Sequence, residues 1–371
     1  MPSHGVRVSP APRWPGAVTL GPIATAGREH RQGHQGSQGR GVHVDARTSV
    51  TTAALLGVAA LLLPGCAAAA TTPQAGPATT PQAGAATTSS AGPRNGAPAE
   101  VPLVIAHRGA SAYAPENTLA AVDAAGDLGI DWVENDVQRT KDGELVVVHD
   151  TTLSRTTDVE RVFPGRSPWK VKDFTAAEIA RLDAGSWLGA RWEGVRVPTL
   201  KEYLGAVEKN RQKLLLEIKG PELYPGIEAD ILRVLRQEGW LDGAHVADRL
   251  VVQSFGAASL RAVREQRADV TTGFLGTPAV ADLPSYAAFA DQINPAYATL
   301  TGDYVAAAHR LKGPHGKPLR VSTWTVDEAA DAARVAALGV DGIITNRPDV
   351  VRDAVEGRGT ERTRSRTRTT G

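Results

Sequence analysis

Leu103-Val104-Ile105-Ala106, the stretch from Thr118 to Leu128, and Trp132-Val133 together make one turn of the pattern that decides the fold. The first is a short, uninterrupted apolar run of the kind buried on both faces of a parallel sheet. The second is amphipathic at helical spacing and stops near Gly129. The alternation then continues. Leu145 to Val148 follow a Lys141-Asp142-Gly143 turn, and Leu214-Leu215-Leu216, Leu250-Val251-Val252, Thr271 to Leu275, Gln292-Ile293, Leu319 to Ser322 and Gly342-Ile343-Ile344 come after them. Helical patterns such as Ile227–Glu238 and Asp327–Leu338 lie between these runs. Roughly eight strands separated by helices predict an α/β protein with a closed parallel (β/α)8, or TIM, barrel rather than an open sheet. No Gly-x-Gly-x-x-Gly follows the first strand, which weighs against a dinucleotide site. Residues 150–200 are too long for a simple connection. They hold Pro164, Pro168 and a Phe174–Leu182 segment that reads as a short helix, so a small insertion is expected after the second barrel strand.

The barrel pattern occupies residues 101–357 of a 371-residue chain. Lys and Arg number 41 against 40 Asp and Glu, a net charge of +1, which removes the broad drive toward nucleic acid. A single cysteine excludes an intramolecular disulfide framework and a Cys-rich zinc site. Ahead of the barrel, Ala53 to Leu63 form an apolar run that as a helix would rise roughly 16 Å, about half a bilayer core. That length suits a secretory signal rather than a membrane span. Leu63-Pro64-Gly65-Cys66 follows at once and resembles a bacterial lipobox, in which the cysteine is lipidated and leads the mature chain. Cleavage among Ala67 to Ala70, with Cys66 incidental, is the plainer alternative. Residues 1–66 are thus expected to be a leader and signal region. A start later than Met1, at Val42 or Val44, would leave Arg47 as its positive flank. Residues 67–100 hold only small and polar side chains and repeat Thr-Thr-Pro-Gln-Ala-Gly, as expected of a flexible stalk. Residues 358–371 alternate Arg with Thr and Ser and read as a solvated tail. The expectation is an extracytoplasmic protein, secreted or tethered to the membrane through lipidated Cys66. The oligomeric state is left open.

Parallel barrels carry their chemistry where strands end. Here the apolar runs end in His107-Arg108-Gly109, Glu134-Asn135-Asp136, His149-Asp150, Glu217-Ile218-Lys219, Gln253-Ser254 and Trp324. Glu134 and Asp136 are two apart and share one face of a strand. With Glu217 they would put three carboxylates at one mouth, a repulsive set unless a cation sits among them, and hard oxygen donors suit Ca²⁺ or Mg²⁺. Surface carboxylates, or Glu217 paired only with Lys219, are the plainer alternatives. His107 and His149, each just beyond an apolar run, can serve as base and acid in one displacement. Arg108 beside them suits a bound phosphate, with a salt bridge to Glu116 as its alternative. Gly109 permits close backbone approach at this turn.

These residues carry a resemblance. His107-Arg108-Gly109 with Pro115-Glu116-Asn117-Thr118 is similar to the signature of the glycerophosphodiester phosphodiesterase family. Glu134-x-Asp136, His149-Asp150, Glu217-x-Lys219, Gln253-Ser254-Phe255 and Trp324-Thr325-Val326 follow it in order and spacing, over about residues 102–355. The resemblance implies a TIM barrel that hydrolyses glycerophosphodiesters to glycerol 3-phosphate and an alcohol with Ca²⁺ or Mg²⁺. It implies that Glu134, Asp136 and Glu217 hold the metal, that His107 and His149 are the acid/base pair, and that Arg108 and Lys219 bind phosphate. Glu116 and Asn117 would support the first loop, with Gln253 a further supporting residue. Trp324 would stack on the glycerol carbons, or be a plain rim aromatic, and Phe255 reads as packing. A phospholipase acting on intact lipids, a solute-binding lipoprotein and an adhesin with a degenerate barrel are the competing readings. A solute-binding protein has no need of two histidines beside a metal site, and the complete residue set argues against an adhesin.

Overall fold

The computed structural model describes residues 100–357. The leader and signal region with Cys66, the stalk up to residue 99 and the tail over 358–371 lie outside the described residues.

Eight parallel strands close on themselves. They are β1 (Leu103–Ala106), β2 (Trp132–Arg139), β4 (Lys213–Ile218), β5 (Leu250–Ser254), β6 (Thr271–Leu275), β7 (Gln292–Asn294), β8 (Arg320–Thr323) and β9 (Gly342–Thr345), while β3 (Leu145–Val147) stands outside the ring. Closure comes from β1, which pairs with β2 on one side and β9 on the other. Helices such as Leu119–Asp127, Leu200–Lys209, Ile227–Gln237 and Ala329–Ala337 pack around the ring. The expected TIM barrel is therefore the observed one. One local reading differs from it. β2 runs on through Glu134, Asn135 and Asp136 to Arg139, and every residue from Trp132 to Gln138 is buried. The short strand expected between the second and third barrel strands is β3, which pairs antiparallel with the end of β2, Val137 opposite Val147, as a hairpin arm.

The alternation of the strands sorts side chains into an inner and an outer set. Ile105, Trp132, Leu215, Val251 and Ile344 form one cluster inside the barrel. Val133, Val137, Leu214, Leu216 and Val252 belong to a second cluster, shared with helix residues such as Leu204, Ile231 and Leu235. Two positions on from the inner apolar layer, toward the ends of the strands, stand His107, Glu134, Glu217 and Gln253, and Asp136 comes two beyond Glu134. One apolar layer thus supports a polar layer at the C-terminal mouth.

The insertion has its own core of Val146, Val148, Leu153, Val159, Val171, Phe174, Ile179, Leu182, Ala184 and Val197. The helix expected over Phe174–Leu182 is a 3-10 turn at Val171–Asp173 followed by a single α turn at Ala176–Ile179. Thr175 explains the break. It is extended, and it caps the α turn reciprocally with Glu178, so the helix starts after Phe174 rather than at it.

Candidate active site

The first βα loop is folded by its own sequence. Arg108 and Asn117 take left-handed backbone conformations, φ 57° and 60°, as does Gly109 at 76°. A Cβ on Gly109 would lie 2.6 Å from the Ala121 backbone, so only glycine fits there. The Arg108 N–H then donates to Glu134 Oε2 at 2.9 Å. Each residue after Pro115 has a partner. Glu116 accepts from Arg108 Nη1 at 2.9 Å. Asn117 donates from Nδ2 to Asp136 Oδ2 at 2.8 Å and accepts from the Asp136 N–H at 3.2 Å. Thr118 caps the helix that follows. Both non-glycine left-handed residues of this loop touch the acidic cluster, the setting in which such backbone strain is retained.

Glu134, Asp136 and Glu217 are buried and offer carboxylate oxygens within 4.8 Å of one another. Asp136 and Glu217 are directly opposite across the β2–β4 ladder, an arrangement that costs energy for like charges. Glu134 Oε1 is buried without a hydrogen-bond partner. Burial first, then the charges of Asp136 and Glu217, hold the Glu134 carboxyl well above the usual range. Burial and Asp136 push Glu217 up to about 8, against the opposing pull of Lys219. Burial would raise Asp136 too, but Lys219 and Arg108 outweigh it and hold it below the usual range. Three crowded hard donors, two with an oxygen that lacks a hydrogen-bond partner and two that resist ionising, fit a divalent cation. Of the plainer alternatives raised by the sequence, burial excludes surface carboxylates, Glu217 does pair with Lys219 at 2.8 Å although Lys219 also lies 3.2 Å from Asp136, and the Arg108–Glu116 salt bridge is present at 2.9 Å.

Both histidines reach the mouth. His107 Nδ1 lies 2.8 Å from Asn346 Oδ1, and its Nε2 is 4.0 Å from Glu134 Oε2. Burial, then the Arg108 charge, lowers its pKa to about 4. His149 Nδ1 lies 2.6 Å from Asp150 Oδ1. Its pKa is also lowered, by burial, against the pull of Asp136 and Asp150. Gln138, two beyond Asp136 on the same strand face, donates from Nε2 to the carbonyls of Val148, His149 and Asp150 at 2.8, 3.1 and 2.7 Å. This fork holds the His149 segment over the barrel mouth.

A cleft of about 100 Å³ brings together His107, Arg108, Glu134, His149, Glu217 and Lys219, and Gln253, Phe255 and Trp324 complete its wall. Gln253 is buried and accepts from Asn294 Nδ2 at 2.9 Å. Trp324 donates from Nε1 to the Asn294 carbonyl at 2.8 Å. Phe255, read from sequence as packing, is instead 51% exposed and stands edge-on to Trp324 with centroids 5.7 Å apart. It lies one residue past the end of β5, where a side chain reaches the rim rather than the core. A larger cavity of about 570 Å³ opens where the strands begin, beneath Ile105, Leu215 and Val251, at the end away from this polar layer. Sequence reasoning missed Asn346, Gln138 and Arg155. Gln138 carried a signal in its two-residue spacing from Asp136.

Residues 107–350 match the model of the glycerophosphoryl diester phosphodiesterase family. A glycerophosphodiester phosphodiesterase of Caldanaerobacter subterraneus subsp. tengcongensis is 37% identical over 253 residues, covering 67% of this chain and 96% of the relative. One of Bacillus subtilis is 33% identical over 272 residues, covering 69% and 87%. Among solved structures, an Oleispira antarctica phosphodiesterase in complex with the product sn-glycerol-3-phosphate superposes with a TM-score of 0.60 at 29% identity, covering 69% of this chain and 97% of that one. With its closed barrel, its acidic cluster and both histidines in one cleft, the chain belongs to the glycerophosphoryl diester phosphodiesterase family.

Proposed function

We propose that the protein hydrolyses glycerophosphodiesters to glycerol 3-phosphate and an alcohol, with Glu134, Asp136 and Glu217 holding one Ca²⁺ or Mg²⁺ ion and His107 and His149 moving the protons. The observation that carries this reading is the meeting of both imidazoles with Glu134 and Glu217 in a single cleft, with Asp136 behind them in the same carboxylate cluster. When bound, the cation supplies positive charge against which a phosphate oxygen is polarised.

The chain's own groups divide the remaining work. Arg108 and Lys219 bring two fixed positive charges to the cleft and bind the non-bridging phosphate oxygens. Asn346 Oδ1 can only accept, so His107 Nδ1 donates to it and the Nε2 lone pair is free. With its pKa near 4 the ring is neutral at neutral pH and serves as the base for the attacking oxygen, whether of water or of the neighbouring glycerol hydroxyl. His149 differs in its partner. Asp150 is held at about 2, with Arg155 and His149 overcoming the effect of burial, so it is ionised and accepts the His149 Nδ1–H. A carboxylate behind the ring stabilises the imidazolium in a way that the neutral Asn346 amide does not. We therefore assign to His149 the protonation of the leaving alkoxide, with Asp150 opposing the burial that lowers the pKa of that ring. Trp324 presents its ring to the glycerol carbons.

The test is glycerol 3-phosphate release from glycerophosphocholine by the full chain, after chelation and after adding back each metal. Release that depends on the metal is expected, and no release with either metal ends the proposal. Phosphatidylcholine vesicles in parallel decide whether exposed Phe255 at the rim serves an intact-lipid substrate instead. We also propose, on the strength of Leu63-Pro64-Gly65-Cys66, that the barrel works outside the cytoplasm on a Cys66 lipid tether. Soluble behaviour unchanged by Cys66→Ala would remove the tether.

A further inference from the structure

Arg155 belongs to the insertion, yet both faces of its guanidinium fork are turned toward the site. Its Nε donates to Asp150 Oδ2 at 2.6 Å and its Nη2 to Asp150 Oδ1 at 3.1 Å. Its Nη1 and Nη2 also donate to Glu116 Oε2 and Oε1 at 2.8 and 2.7 Å. Asp150 in turn accepts from His149, and Glu116 accepts from Arg108. A single unbranched chain of contacts therefore runs His149, Asp150, Arg155, Glu116, Arg108. The turn that bears Arg155 is itself pinned: Leu153 is fully buried in the insertion core, and Thr157 donates its hydroxyl to the Leu153 carbonyl at 2.6 Å.

We propose that Arg155 is a positioning residue through which the insertion fixes the acid histidine, by holding Asp150 with one edge while anchored on Glu116 with the other. The inference rests on the diesterase reading for its consequence, though not for its geometry. Asp150 follows His149 in the chain, and a lone carboxylate beside its own histidine could swing into solvent. Arg155 occupies both of its oxygens, so the oxygen facing His149 Nδ1 cannot turn away without breaking two charge-assisted bonds. A lysine has one point of charge and cannot serve two carboxylates in this fork geometry. The insertion is then a working part of the site.

The test uses the full chain with saturating metal and glycerophosphocholine. Arg155→Ala and Arg155→Lys should each lower kcat by about 10- to 100-fold, the range seen when a partner behind a functional histidine is removed. The lysine variant should stay closer to alanine than to wild type, and low millimolar guanidinium should restore part of the alanine variant's rate. In a His149→Ala background the further loss from Arg155→Ala should nearly vanish, because the group it positions is gone. Nuclear magnetic resonance supplies a readout independent of turnover: the His149 Nδ1 proton, shielded from exchange in the wild type, should be lost to exchange in either variant. Full kcat in the variants, an equal loss in the His149→Ala background, or an unchanged His149 proton would overturn the proposal. Should Arg155→Ala fail to fold, Arg155→Lys carries the same comparisons. A wild type without turnover would sink the diesterase reading alone, and the His149 proton would still decide the role of Arg155.

Discussion

Removing the divalent cation should make the barrel lose stability as the solution turns from neutral to mildly alkaline. Glu217, buried beside Asp136, has its carboxyl raised from 4.5 to about 8 in the folded chain. The folded state then holds a proton that the unfolded state has released. This contribution is fully present below pH 4.5 and is lost as pH rises toward 8. His107 works in the opposite sense lower down. Its pKa falls from 6.5 to about 4, so its contribution is complete above 6.5 and disappears on acidification. The two oppose each other below 6.5, which leaves the window from 6.5 to 8 to the carboxyl. Across that window about 1.5 pH units at 1.36 kcal/mol each gives a loss of about 2 kcal/mol. For a domain of this size that is a fall of about 4–8 °C in Tm. Glu134, also raised, adds to the same direction. Thermal melts in chelator from pH 6 to 8.5 should show the fall. Saturating Ca²⁺ or Mg²⁺ should abolish it, because a cation holds the carboxylates ionised, and Glu217→Gln in chelator should reduce it, leaving the share of Glu134. The same fall with and without cation, or an unchanged fall in Glu217→Gln, would refute the reasoning.

Other outcomes follow from the same geometry. His107→Ala and His149→Ala should each lower turnover by about 10² to 10⁴ with melting temperatures close to wild type, and retained turnover in both would remove the acid/base assignment. Gly109→Ala should destabilise the barrel by at least about 1–3 kcal/mol, since φ is 76° and the new methyl meets the Ala121 backbone, and a denaturant melt coincident with wild type would contradict this. The His107 imidazole should titrate near pH 4 by nuclear magnetic resonance in the metal-free protein, and a midpoint at its ordinary 6.5 would show that burial and Arg108 do not act on it as described.

Much of this site was legible because a parallel barrel turns sequence spacing into depth. Ile105 and His107, Trp132 and Glu134, Leu215 and Glu217, and Val251 and Gln253 are each two apart, so an apolar layer announces the polar layer above it. The strand and helix alternation announced the barrel for a related reason: strands buried on both faces carry unbroken apolar runs. What escaped is what depends on long-range pairing. Leu145 to Val147 look like any buried parallel strand, and only their register against Val137 makes them an antiparallel arm. Asn346 orients His107 from 239 positions away. Arg155 sits among several basic residues of the insertion, and nothing local marks it as the one aimed inward. Phe255 was misread because an aromatic residue is by default a core residue, whereas the rim begins one position after β5 ends.

The most direct test is a crystal structure of the protein grown with Ca²⁺ or Mg²⁺ and soaked with glycerol 3-phosphate. The account predicts one cation ligated by Glu134, Asp136 and Glu217, a phosphate contacted by Arg108 and Lys219, and both imidazole Nε2 atoms within hydrogen-bond reach of phosphate oxygens. A cation bound elsewhere, or either imidazole turned away from the phosphate, would contradict it.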